Sequence, residues 1–157
     1  MALSYKSDFN YDLGVRIKPG PIKTQDGTIY EGEWLNGKKD GYGILQKRNG
    51  TRYEGYFEGD YFQGQGTMDY ANGEKYTGDW VRNKKEGNGV YEKPDGWRYV
   101  GDWLNDMEDG FGLNRWPDGS WYEGEYKQGQ QHGMGKMVVK DGSVKLLEYT
   151  GDWRYGK

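Results

Sequence analysis

Few residues in this chain could do chemistry, and each candidate fails on its surroundings. His132 is the only histidine, and the chain contains no cysteine, so a His/Cys metal cluster cannot form around it. Ser4, Ser7, Ser120 and Ser143 lack a paired base, and no Gly-x-Ser-x-Gly elbow is present. Gly37-Lys38-Lys39 lacks the Ser/Thr and upstream glycine of a phosphate-binding loop. Paired carboxylates such as Glu31/Glu33 fall on one side of a strand, with nothing nearby to raise a pKa. Gly-x-Gly is the most frequent motif, yet no third glycine and helix follow it to cradle a dinucleotide. The expectation is no catalytic residue, no metal and no cofactor.

The Gly-x-Gly motif has a different meaning, which its spacing reveals. A phrase Tyr-x-Gly-x-aromatic begins at Tyr30, Tyr53, Tyr76, Tyr99 and Tyr122, each step being 23 residues, and returns at Tyr149 after 27. Gly-x-Gly begins eleven residues after each of the first five tyrosines, as Gly41/Gly43, Gly64/Gly66, Gly87/Gly89, Gly110/Gly112 and Gly133/Gly135. Gly50, Gly73, Gly96, Gly119 and Gly142 close the units. Register held over five units identifies a repeat array, in which each unit buries its apolar face against its neighbours.

The elements that position these residues read as strands. No segment carries a sustained 3.6-residue apolar period. Each unit supplies one strand such as Tyr30–Trp34, a polar turn over Leu35–Asp40, and a second strand from Gly41 to about Lys47. Asn-Gly or Asp-Gly pairs then turn the chain, and such pairs favour positive φ. Alternation across a strand sends Tyr30, Gly32 and Trp34 one way and Glu31 and Glu33 the other. The glycines are expected to be notches that let a ring from a neighbouring strand approach the backbone. The resulting aromatic face, a core and a candidate protein-binding surface at once, comprises Tyr30, Trp34, Tyr53, Phe57, Tyr76, Trp80, Tyr99, Trp103, Tyr122 and Tyr126. The opposite face carries an acidic residue after the motif glycine in five of six units, expected as a solvated stripe: Glu33, Asp79, Asp102, Glu125 and Asp152.

Composition agrees with a folded but thin sheet. Aliphatic residues are few, while 15 Tyr and 7 Trp supply apolar area through large rings. A net charge of -3 disfavours nucleic acid and weakens the case for anionic lipid. The absence of cysteine, of an apolar span of roughly 20 residues and of a signal-peptide core gives an expectation of a cytoplasmic protein.

The spacing, aromatics and glycines over residues 30–153 together resemble the MORN repeat family. The resemblance implies an all-β fold, an elongated single-layer antiparallel β-meander of stacked hairpins, and a scaffold or adaptor without enzymatic activity. It further implies protein partners in a larger assembly, above all in a cilium, flagellum or axoneme or elsewhere in the cytoskeleton. A peripheral membrane or phosphoinositide-binding module, or a regulatory module for an enzyme on another chain, is the alternative. The array divides into a partial unit at 22–29, repeats at 30–52, 53–75, 76–98, 99–121 and 122–148, and a partial unit at 149–157. Phe57 replaces the usual Trp or Tyr, and four extra residues around Val144–Glu148 should bulge a turn or lengthen a hairpin.

Two segments stand apart from the period. In residues 1–21, Phe9, Tyr11, Leu13, Val15 and Ile17 alternate with polar residues up to Pro19-Gly20-Pro21, which should stop the strand and separate it from the array. This arm is expected either to cap the first edge of the sheet or to dock on another protein. At the other end, Tyr149, Trp153 and Tyr155 mark a strand whose free edge could pair with a partner strand or with a second copy in a homodimer.

Overall fold

Opposed glycines set the architecture. In a computed structural model, which describes residues 14–157, every strand of the described chain pairs antiparallel. The strands are β1 (Arg16–Ile17), β2 (Ile22–Lys23), β3 (Ile29–Leu35), β4 (Lys38–Gln46), β5 (Arg52–Glu58), β6 (Tyr61–Asp69) and β7 (Lys75–Val81). They continue as β8 (Lys84–Glu92), β9 (Arg98–Leu104), β10 (Met107–Arg115), β11 (Trp121–Lys127), β12 (Gln130–Asp141) and β13 (Val144–Trp153). All thirteen belong to one open sheet of stacked hairpins, and no described segment is helical. The chain divides into two compact units, one running through Gly73 with Asp79–Lys84, the other comprising Glu74–Gly78 and Lys85–Lys157.

In the first unit, Gly32 faces Gly43 across β3–β4, and Gly55 faces Gly43 and Gly66 across β4–β5 and β5–β6. The second unit repeats this with Gly101 facing Gly89 and Gly112, and Gly124 facing Gly112 and Gly135. A Cβ on Gly101 would stand 2.5 Å from Gly112 Cα, and one on Gly112 would stand 2.5 Å from Tyr99 Cε2. The notches are therefore real. The ring filling each pair is the unit's own leading tyrosine, lying over the glycine two residues later and over its cross-strand partner.

The two glycines of Gly-x-Gly do different work, which corrects the expectation of two notches. Gly110 has φ +115 and sits where the β9–β10 register shifts between Glu108 and Gly112. This is a β-bulge, a place where glycine is favoured because positive φ costs it no Cβ clash. The bulge re-phases the strand, so β4 begins at Lys38 rather than Gly41 and the polar loop contracts to Asn36-Gly37. Positive φ at both residues (50 and 73) gives these hairpins the twist of a two-residue primed turn. The Asx-Gly pairs instead make wider turns, in which Asn49, Asp95 and Asp118 accept the backbone N–H of Thr51, Trp97 and Ser120.

Beyond the repeats, β1 and β2 lie on the same side of β3, pairing Ile17 with Trp34 and Ile22 with Tyr30. Pro19-Gly20-Pro21 interrupts the strand but does not detach Arg16–Ile17 from the sheet; Arg16 also forms ion pairs with Glu33 and Asp40. Phe9, Tyr11 and Leu13 lie outside the described residues. The four extra residues lengthen the β12–β13 hairpin, with a shift between Val139 and Lys140.

The glycine pairing predicts two different costs. Gly112→Ala should lose about 3 kcal/mol through overpacking against Tyr99. Gly50→Ala, with φ +95 and open space around its Cβ position, should lose only about 1–2 kcal/mol from backbone conformation. Chemical denaturation of the two variants checks this; equal losses would mean that the tyrosine does not depend on the glycine gap.

Candidate functional site

The aromatic face is built from a hydrogen-bonded unit. At the bulge the backbone loses its ladder partners, and side chains take their place. Tyr30, Tyr53, Tyr99, Tyr122 and Tyr149 each donate their hydroxyl to the carbonyl three residues on, at 2.9–3.1 Å. On the other side of the same bulge, Asp102 Oδ2 accepts the Phe111 N–H at 2.8 Å and Glu125 Oε1 accepts the Met134 N–H at 3.1 Å. The acidic stripe is thus partly structural, its carboxylates closing the bulges. Its face is also less polar than expected, because Tyr42, Tyr56, Phe111 and Met134 are exposed there.

Rings then link successive repeats. Tyr30 meets Phe57 at 5.1 Å, Tyr53 meets Trp80 at 5.6 Å and Tyr76 meets Trp103 at 5.3 Å, all edge to face. Tyr99–Tyr126 and Tyr122–Trp153 continue the pattern at 5.2 Å. Indole N–H groups are satisfied by the preceding repeat: Trp80 donates to the Gly66 carbonyl, Trp103 to Gly89 and Trp153 to Gly135. Trp34 is the exception, with its Nε1 buried and unpartnered. The carbonyl at the corresponding spacing belongs to Gly20, where the two prolines interrupt the strand.

Within each unit the expected face residues are brought together, but as core: none of the ten is more than 7% exposed. The surface above them is formed by other residues, the ninth after each leading tyrosine. These are Lys39, Phe62, Lys85, Glu108 and Gln131. Cross-strand register places them on the aromatic face, with Lys39 opposite Trp34, Phe62 opposite Phe57, Glu108 opposite Trp103 and Gln131 opposite Tyr126. Phe62 stacks on Tyr53 at 4.0 Å. Lys39 lies over Tyr30 and pairs with Asp60 at 3.2 Å. Lys85 sits 4.5 Å from the Tyr91 ring centroid, 4.6 Å from Trp103 and 5.6 Å from Tyr76, and burial lowers its pKa. Ninth-residue variation within a fixed frame was the signal in the sequence that marked these positions.

A groove of about 680 Å³ opens over the first repeat, lined by Ile22, Asp26, Tyr30, Trp34, Lys39 and Leu45 among others. The expected C-terminal edge is different in kind. Tyr149 is 44% exposed where Tyr122 is fully covered, and Val144, Leu146, Leu147 and Tyr155 are also exposed. Among the described residues, strand β13 pairs only with β12. Val15, in the other expected segment, is exposed, while Ile17 is half-buried against β3. Among the described residues no group of acids and histidine is arranged to hold a metal ion.

Burial of the repeat tyrosines has a pH consequence. Desolvation pushes Tyr122 up to about 12 and drives Tyr30, Tyr53, Tyr99 and Tyr126 higher still. A phenol whose folded pKa is raised contributes stability that is complete below the ordinary value near 10 and lost as pH rises through the folded value. Absorbance at 295 nm should therefore rise in two stages, the second near or above pH 12 and coincident with loss of near-ultraviolet circular dichroism. A single smooth titration of all tyrosines would contradict the burial.

Comparison with known families finds the MORN repeat in five consecutive matches, at residues 30–52, 53–75, 76–98, 99–121 and 122–144. The fifth match ends at the start of the lengthened β13. Comparison with curated proteins returns no match.

Proposed function

Because this chain belongs to the MORN repeat family, whose repeats serve generally as protein- or membrane-binding scaffolds, we propose that it is a non-enzymatic adaptor that binds proteins of a larger assembly. The observation that carries this reading is the outer edge of β13. Among the described residues, ten residues of strand present an unpaired side, with Leu146 63% and Leu147 57% exposed. An exposed apolar edge is a template for adding a strand from another chain. The partner supplying that strand is another subunit, or a second copy in a homodimer. The aromatic face contributes through the variable residues that lie over its rings, and the segment containing Phe9, Tyr11, Leu13, Val15 and Ile17 offers a further contact.

A cytoplasmic setting in a cilium, flagellum or other cytoskeletal assembly is part of the proposal and rests on analogy with the family. The acidic balance, with a net charge of -3, favours protein over anionic lipid as the principal partner.

Affinity capture with the full chain and with Leu146→Lys tests the reading. A lysine on an exposed edge blocks strand addition while changing stability by only about 0.5 kcal/mol or less. Cytoskeletal or axonemal subunits should be recovered by the full chain and lost with the variant, and light scattering should show whether a dimer disappears with them. Strong, salt-sensitive cosedimentation with anionic vesicles, unaccompanied by protein partners, would replace this proposal with the membrane reading.

A further inference from the structure

One row of charges breaks its own pattern at the fourth repeat. Sixteen residues after the leading tyrosine, the second and third repeats carry Asp69 and Glu92. Each pairs with an arginine of a neighbouring strand, Asp69 with Arg52 at 4.0 Å and Glu92 with Arg98 at 3.0 Å. In the fourth repeat the same position holds Arg115, directly opposite Arg98 on one side and Trp121 on the other. Arg98 already has its carboxylate, so Arg115 faces a cation and an indole. The Arg115 guanidinium forms no hydrogen bond or ion pair among the described residues.

Within the same compact unit, a pocket of about 520 Å³ opens beside it, lined by Asp95, Arg115, Trp116, Trp121 and Lys140 among others. Its walls are held by the main chain. Trp116 donates its N–H to the Ser120 carbonyl at 2.9 Å, and Gly119 donates to the Trp116 carbonyl at 3.0 Å. The buried Ser120 Oγ accepts the Lys140 N–H at 2.9 Å, which fixes β12 against this turn. The Lys140 ammonium, like the Arg115 guanidinium, has no partner among the described residues. Lys136, which lies over Trp121 at 5.8 Å, is instead paired with Glu148 at 2.6 Å. Asp95 is the acid of the lining, and its Oδ1 accepts the Trp97 N–H at 2.9 Å. Two cations against one carboxylate leave the lining with one positive charge in excess. Trp116 and Trp121 are only half-buried, so both indoles offer apolar surface to the pocket.

We propose that this pocket binds an acidic residue of a partner protein. The partner's side-chain carboxylate lies on Arg115 and Lys140, and an adjoining apolar side chain lies against Trp116 and Trp121. The guanidinium presents a planar fork that takes both carboxylate oxygens, and the ammonium adds a point charge. One carboxylate matches the excess charge of the lining. A phosphate monoester, at about −1.5 to −2 near neutral pH, would overshoot it beside Asp95. Indole faces carry a negative quadrupole and do not favour an anion, so they belong to the apolar part of the ligand. This inference rests on the protein-binding reading and gives it one partner chemistry; it does not depend on the β13 edge.

Nuclear magnetic resonance titration of the full chain with 3-phenylpropionate, a carboxylate carried on an apolar ring, tests it directly. The indole N–H signals of Trp116 and Trp121 should move saturably, and neutral 3-phenylpropanamide should leave them in place. Arg115→Gln or Lys140→Gln should weaken binding about tenfold. Arg115→Glu, which restores the acid of the second and third repeats opposite Arg98, should abolish it while the rest of the spectrum confirms the fold. Equal shifts with the amide, or binding that survives Arg115→Glu, would overturn the proposal. Tighter binding of phenyl phosphate than of the carboxylate would also overturn it, by assigning the pocket to a phosphorylated ligand. Unmoved signals in the unsubstituted chain would do the same, leaving capture through the β13 edge unaffected. Leu146→Lys should bind the probe as the unsubstituted chain does, so the two readings fail separately.

Discussion

A single hydrogen bond, from a tyrosine hydroxyl to the carbonyl three residues on, holds the rest of the repeat in place. It can form because the bulge withdraws the usual ladder donor from that carbonyl. The bulge depends on a glycine at positive φ, Gly110 in the fourth repeat. The ring reaches its carbonyl only by lying across a pair of opposed glycines, such as Gly101 and Gly112. The carboxylate of Asp102 accepts the N–H on the other side of the bulge. Removing any one part leaves a buried polar group of another part unsatisfied, at roughly 1–3 kcal/mol. A sheet with few aliphatic residues is thereby stabilised through directional contacts as well as apolar area.

The same logic explains what was legible in the sequence. The period, the strand pairs and the aromatic face follow from residues that recur because the hydrogen-bonded frame needs them. Gly43 and Gly41 look alike in a string of letters, yet one makes room for a ring and the other permits a backbone twist. Only the pairing register separates them. The tight hairpins were hidden for the opposite reason. Asn36-Gly37, Gly59-Asp60, Arg82-Asn83 and Asn105-Asp106 share a backbone conformation without sharing a residue pattern. The conspicuous Asx-Gly pairs fall in the wider turns. Acidic residues read as a solvated stripe because alternation reports which face a side chain leaves from, not which backbone donor it reaches.

The two outer strands are treated differently. Against β3, the short β1 and β2 flank Pro19 and Pro21, and proline has no N–H to offer a further strand. Arg16 adds a charged clamp through Glu33 and Asp40. Strand β13 has no proline and exposes Val144, Leu146 and Leu147 beside a tyrosine whose hydroxyl bond to Asp152 is already made. Tyr149 lies over Gly151, so half of the next glycine pair is in place.

The ninth position of the repeat separates inheritance from identity. Lysine, phenylalanine, lysine, glutamate and glutamine stand there in succession, and the backbone around them keeps the same hydrogen bonds: Lys39, Phe62, Lys85 and Glu108 each give a carbonyl to the following turn. Because that bond uses only the main chain, the hydrogen-bonded frame does not dictate which side chain stands there, and rings and charges as different as Phe62 and Lys85 each find their own packing over the tyrosine. Duplication of a repeat copies the frame while the contents of the socket change. Two arrays of this family can therefore share every residue that defines the family and still present unrelated chemistry to their partners.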